Sequence, residues 1–244
     1  MTATDDLNAV IDLLWTPPPP PRRGPKPGLT LNAIAEAGIA VADTDGLGAV
    51  TMQRVAEALG VTKMALYRYV RSKTELVALM TELALSESID PEADPETVTV
   101  TGGWRSKLDA WAWATLDHFI RHPWVRETTT GPRAMGPNEL GWVEQALVAM
   151  SDIELTGAER LDVATTLAGH ARAVAQQHTA RTGGGPEEAI NDMFALLVRG
   201  REKQFPALAA ALASAAEPGA RNQAFAFGLA RILDGIELLV DGRS

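Results

Sequence analysis

Residues 51–73 read Thr-Met-Gln-Arg-Val-Ala-Glu-Ala-Leu-Gly-Val-Thr-Lys-Met-Ala-Leu-Tyr-Arg-Tyr-Val-Arg-Ser-Lys. Thr51 carries the hydroxyl that caps a helix, and Met52, Val55, Ala56 and Leu59 follow at spacings of three and four to form its inner face. Gly60 comes next, a residue that enters the left-handed conformation of a sharp helix exit without steric cost. Thr62 then offers a second cap, and Ala56 is small enough for a second helix to cross close to the first. The stretch predicts helix, tight turn, helix at the length of a DNA-binding unit.

Placed at about 100° per residue, the second helix splits into two faces. Leu66, Tyr69, Val70 and the Thr62 cap fall toward a core, while Lys63, Met64, Tyr67, Arg68 and Arg71 fall outward. Such an outward face suits a major groove, because cations meet phosphates or guanine edges and Tyr or Met can touch a thymine methyl. An ordinary solvated amphipathic helix has the same period, so periodicity by itself leaves both readings open.

Charge leans modestly toward the first. The chain of 244 residues has a formal net charge of −9. Residues 22–73 nevertheless hold eight Lys/Arg against four Asp/Glu, and residues 74–244 hold 14 against 24. A basic segment on an acidic body is the asymmetry expected when one end of a protein meets phosphates.

Around this unit the period is helical nearly everywhere. Leu31, Ile34, Ala35, Gly38, Ile39 and Ala42 predict a helix ended by Asp45-Gly46, and no stretch sustains strand alternation. Pro and Gly mark breaks near 86–103, 127–138, 182–186 and 217–220. The fold expected is all-α, a three-helix helix-turn-helix domain over 30–76 followed by a larger helical domain over 77–244. Residues 1–29 contain an apolar patch (Val10, Ile11, Leu13, Leu14, Trp15), five prolines at 17–21 and the basic Arg22, Arg23 and Lys26. They are expected to form an extended or disordered arm.

Other chemistry finds little footing. There is no cysteine, which removes disulfides and thiolate metal sites, and the longest uncharged stretch, 13 residues from Gln204 to Ala216, is too short to cross a bilayer. The cytoplasm is the expected compartment. His118 and His122 are four apart, the spacing of a two-histidine metal site, yet Pro123 follows and no Glu comes directly after His118 as in the zinc-protease motif. No nucleophile elbow or phosphate-binding glycine loop is present, so neither an enzyme, a metal nor a cofactor is expected.

The wording of residues 30–79 closely resembles the TetR family of bacterial repressors, carried by Thr-Met-Gln-Arg-Val-Ala-Glu-Ala-Leu-Gly-Val and Ala-Leu-Tyr-Arg-Tyr-Val-Arg-Ser-Lys-Thr-Glu-Leu. The resemblance implies that Thr62 to Val70 is the recognition helix and that Lys73 starts the helix leading into the body. It implies that Thr51, Tyr69 and Lys73 meet phosphates and that Gln53, Lys63, Met64 and Tyr67 reach base edges. Gln53 stands where some members carry arginine and Tyr69 where many carry histidine, which leaves the operator sequence open.

More weakly, the body resembles the effector domain of the tetracycline-repressor branch. The matching phrases include Trp104-Arg105, Arg121-His122-Pro123-Trp124, Gly131-Pro132-Arg133, Gly136-Pro137-Asn138 and Phe205-Pro206-Ala207-Leu208. A homodimer on a palindromic operator, released by a small-molecule effector, is what the two resemblances together imply. Trp111, His118, Trp142, His170, Arg172 and Gln177 are the expected effector wall, with 128–133 as a lid. Two small-residue stripes, Ala164, Ala168, Ala171 and Ala175, then Phe225, Gly228, Ile232, Gly235 and Leu239, are expected to pair between subunits as a four-helix bundle.

Overall fold

A computed structural model describes residues 3–16, 29–86, 102–178, 186–215 and 223–243. Among the described residues every regular element is helical. The order is α1 (Ala3–Trp15), α2 (Leu31–Asp45), a 3₁₀ turn (Leu47–Ala49), α3 (Met52–Ala58), α4 (Lys63–Leu66), α5 (Lys73–Ser86) and α6 (Trp104–Arg121). It continues through α7 (Val125–Thr128), α8 (Pro137–Ala149), α9 (Gly157–His178), α10 (Pro186–Val198), α11 (Pro206–Ala215) and α12 (Ala224–Asp241). Of the four breaks expected from Pro and Gly, the one near 127–138 separates α7 from α8, and those near 86–103, 182–186 and 217–220 lie largely outside the described residues. No described helix is long and apolar enough to cross a membrane.

The head is built as the caps dictate. Thr30, Thr51 and Thr62 each accept the backbone N–H three residues on, from Ala33, Arg54 and Ala65, and so start α2, α3 and α4. Gly60 makes the turn at φ +65°. Ile34, Ala35, Val55, Ala56, Leu66 and Val70 close the core beneath.

The central shaft is α5. Leu76, Met80 and Ala84 are fully buried, and Glu75, Thr81 and Glu82 are buried with them, because α1, α2, α7 and α8 pack around it. Each fully buried Leu or Met contributes roughly 1.5–3 kcal/mol. Close approach of α2 depends on Gly38, where an added Cβ would lie 2.6 Å from Met80 Sδ.

Two expectations need correction. Residues 3–15 of the N-terminal arm are helical. Val10 is buried, Leu13 and Leu14 pack on the core, and the Trp15 indole N–H donates to the Met135 carbonyl at 2.9 Å. The positions 10, 13 and 14 are a helical seam, and α5 supplies the surface it needs; the basic Arg22, Arg23 and Lys26 lie outside the described residues. The alanine stripe of α9 faces inward. Ala164, Ala171 and Ala175 are buried within the subunit, where α9 packs along α6. On α12, Phe225 is buried and Gly228 lies against the His170 ring, while Gly235 and Leu239 are exposed.

Gly38→Val should push α2 off α5 and cost about 1–3 kcal/mol through overpacking. Urea unfolding checks this; an unchanged midpoint would place no close contact there.

Candidate nucleic-acid interface and ligand cavity

On the head, Thr51, Gln53, Thr62, Lys63, Met64, Arg68, Tyr69 and Lys73 are exposed, Met64 at 74%. The recognition segment is shorter as α-helix than the resemblance implied. After Leu66 the ladder tightens, with Arg68 N–H donating to Ala65 O at 3.4 Å and Tyr69 N–H to Leu66 O at 2.9 Å. Donation three residues back winds the chain by about 120° per residue instead of 100°. Tyr69 therefore turns outward and Tyr67 turns partly in against the core, the reverse of the faces read from a regular helix. Lys63 Nζ lies 5.7 Å above the Tyr67 ring. Gln53 donates to Glu57 at 2.6 Å, and Lys73 Nζ donates to Leu47 O at 3.5 Å, so both are pre-positioned beside the same surface.

The body encloses a cavity of about 410 Å³. Trp111, Thr115, His118 and Phe119 of α6 line it, with Trp142 and Val143 of α8, Ala164, Ala168 and Arg172 of α9, and Thr129 and Thr130 of the intervening loop. Four of the six expected wall residues meet here: Trp111, His118, Trp142 and Arg172. His170 and Gln177 do not. His170 is two residues before Arg172, about 200° round the helix, and so turns away from the cavity. Its ring stacks on Phe225 (5.1 Å, 5°) and its Nε2 is 3.0 Å from Phe225 O. Gln177 is exposed near the end of α9.

The polar groups of the cavity are mostly committed. Trp111 Nε1 donates to Trp142 O at 2.9 Å, and Trp142 Nε1 donates to Thr115 Oγ1 at 3.1 Å. With both N–H groups satisfied, the indoles, 6.1 Å apart and tilted by 36°, offer ring faces. Glu139 is clamped by both guanidinium nitrogens of Arg133. Arg172 stacks on Phe119 at 4.9 Å and donates to Thr129 Oγ1 at 3.0 Å and to Arg126 O. Burial, followed by the nearby Arg126 and Arg133 charges, lowers its pKa. Burial, then His122, holds the His118 pKa down to about 4, so its imidazole is neutral at physiological pH.

The cavity reaches the shaft, since Leu85 of α5 is part of its wall. Glu82, one turn earlier, accepts the Asn138 N–H at 2.6 Å and the Glu139 N–H at 3.4 Å from the start of α8, while Asn138 Nδ2 donates to Glu82 O at 3.0 Å. Burial raises the Glu82 pKa and these donors oppose it. Thr81 Oγ1 donates to Thr128 Oγ1 at 2.9 Å. Sequence reasoning missed Glu82 because an acidic residue within a helix reads as solvated; the run of apolar neighbours on every side of α5 was the available signal. Among the described residues no group of three or more His, Cys, Asp or Glu is gathered as metal ligands.

A helix-turn-helix head whose shaft, α5, runs on into a helical body and forms part of its cavity defines the class of DNA-binding regulators. Two family models match, "Bacterial regulatory proteins, tetR family" over residues 29–80 and "Tetracyclin repressor-like, C-terminal domain" over residues 96–240. The chain belongs to the tetR family of bacterial transcriptional regulators. It is 34% identical to the HTH-type transcriptional repressor DrrR1 of Streptomyces coeruleorubidus, across 99% of this chain and 90% of that one. The fold matches crystal structures of ActR from Streptomyces coelicolor. The apo form gives a TM-score of 0.72 at 20% identity, covering 90% of this chain and 100% of that one. The complex with actinorhodin gives 0.69 at 21%, covering 88% and 99%.

His118 sets a pH dependence. Its folded pKa is below the unfolded value, so between about pH 6.5 and 4 the unfolded chain binds a proton that the folded chain refuses, and stability falls as pH drops through that window. His118→Gln should lose about 2 kcal/mol less than the parent between roughly pH 7 and 4.5. Urea unfolding at the two pH values is the check; equal losses would refute the buried, neutral imidazole.

Proposed function

We propose that the chain is a homodimeric repressor that holds a palindromic operator through its two heads and lets go when a flat, largely apolar effector enters the body cavity. The observation that carries this reading is the shared wall: Leu85 of the shaft that bears the head lines the same cavity as Trp111, Trp142 and the 129–130 loop. A ligand packed there presses on α5, and through the Glu82–Asn138 contact on the start of α8. An equilibrium moves only if the ligand binds the DNA-incompetent pose more tightly than the competent one. The size suits a fused aromatic ring system, which would lie against the indole faces and whose oxygen acceptor would meet Arg172. Support comes also from ActR, a family protein whose structure was solved with actinorhodin.

In this reading Lys63, Met64 and Arg68 enter the major groove with Gln53 beside them and the half-buried Tyr67 at its edge beneath Lys63, Thr62 holds the helix start, and Thr51, Tyr69 and Lys73 meet flanking phosphates. Such a regulator acts in the cytoplasm, where its operator is. For dimerisation the body offers the outer face of α12, where Phe227, Leu238 and Leu239 are exposed. A two-fold dimer would match two half-sites.

Operator selection with the full chain, repeated with a panel of polycyclic aromatic compounds, tests the function. An inducer should weaken operator binding roughly 5- to 150-fold. Binding of no specific DNA would sink the repressor reading. Specific DNA binding that no compound loosens would leave a body that serves assembly alone. Met64→Ala and Lys63→Ala should each cost about 1–3 kcal/mol at the operator and relax sequence preference. Lys73→Ala should weaken all sequences alike and lower the salt slope by about 1. If Met64→Ala binds as the parent does, the base-reading assignment fails.

A further inference from the structure

The head is tied to the body at a second place, away from the shaft. Asp43, on the last turn of α2, has its side chain 32% exposed. Its carboxylate accepts the Trp124 indole N–H at 2.7 Å and lies 2.9 and 3.1 Å from His122 Nδ1. Trp124 and His122 are only 2% and 4% exposed. They hold their places because α6 ends at Arg121, and the His122 and Pro123 that follow carry the chain into α7. Across from Asp43, the His122 ring is 5.4 Å from the ring of His118, which lines the cavity and lies 6.4 Å from Trp142. Two residues beyond Asp43, Asp45 pairs with Arg54 of α3, the first helix of the helix-turn-helix. Cavity, His118, His122, Asp43 and α3 thus form one contiguous series of contacts.

We propose that Asp43, His122 and Trp124 form a clasp that sets the pose of the DNA-reading head, and that His118 makes this clasp responsive to what occupies the cavity. The proposal rests on the operator-binding reading above. Its physical basis is that a carboxylate held by ring groups of two buried side chains has few alternative poses. A ligand that displaces the His118 ring moves the surface on which His122 rests, and His122 can then hold Asp43 only by rotating out of line. The three clasp residues and His118 are positioning residues, since none of them touches DNA in this arrangement. Loosening the clasp frees the head to sample poses with the wrong half-site spacing, and operator affinity falls because that freedom is lost again on binding.

The test is a double-mutant cycle in the full-length chain, on an operator selected with the parent protein. Asp43→Ala and His118→Ala should each weaken operator binding at least fivefold, and the double variant should be no weaker than the poorer single one. Asp43→Asn, which keeps an acceptor for the Trp124 N–H, should recover most of the affinity. Glu36→Gln, an exposed carboxylate change on the same helix, should combine with His118→Ala by simple multiplication. If Asp43→Ala and His118→Ala multiply instead, there is no relay and the proposal falls, while the repressor reading stands. A calorimetric scan without DNA is the independent arm: the parent should unfold in one transition, and Asp43→Ala should split off an earlier one for the head. A single, uniformly lowered transition would also overturn the clasp.

Discussion

The arrangement depends on a carboxylate buried against the start of a helix. Glu82 sits on the shaft with only 8% of its surface exposed, a position that would penalise a charge by several kcal/mol without partners. The first backbone N–H groups of α8 supply those partners, and the positive end of that helix favours the negative charge. Gly136 is obligatory beside it, because a Cβ there would overlap the carboxylate. This contact fixes the height and rotation of α5 against the body. Because α2 packs on the other side of α5 through Gly38, the head inherits that position.

The cavity sits where such a constraint becomes useful. Its walls come from α6 and α9 together with α8, which packs on α5, with Leu85 of α5 itself, and with the loop after α7, which is latched onto α5 through Thr81 and Thr128. In the proposed role, a site lined by ring faces would reward area, while Arg172 would favour a ligand with oxygen at one edge. A neutral His118 is part of the same logic. A charged imidazole at that depth would carry a desolvation cost into every ligand complex, whereas the neutral ring can accept or donate.

How far the sequence discloses this varies with the physics involved. The helix-turn-helix was legible because it rests on local chemistry, with threonine caps, a glycine exit and apolar positions at helical spacing. Trp111, His118, Trp142 and Arg172 were legible as a wall because large aromatic and polar groups recur along helices of an otherwise aliphatic and alanine-rich body. Three features were hidden. The 3₁₀ winding after Leu66 depends on how Val70 seats in the core, and it exchanges the outlooks of Tyr67 and Tyr69. The alanine stripe of α9 permits close helix approach without naming the partner helix, which is α6 of the same subunit. The first helix was masked by the prolines after it, although Val10, Leu13 and Leu14 already formed its seam.

Two attachments between head and body constrain the switch more than either would. A head held only by α5 could pivot about that helix, and ligand-driven movement of the shaft would be blurred by the pivot. The Asp43 contact lies on the last turn of α2, beyond the Gly38–Met80 contact at the middle of that helix, and in the proposed clasp it removes this freedom. Under the proposal the head would move as a body between two poses, which is the condition for a modest coupling to be read out cleanly. With 1–3 kcal/mol available from a ligand, a bias of about two orders of magnitude is the most that can be shifted, so a diffuse, many-posed head would waste it. In the proposed dimer, a head fixed at both α5 and α2 would convert the same free energy into a change of half-site spacing, which DNA would read steeply because both half-sites must be met at once.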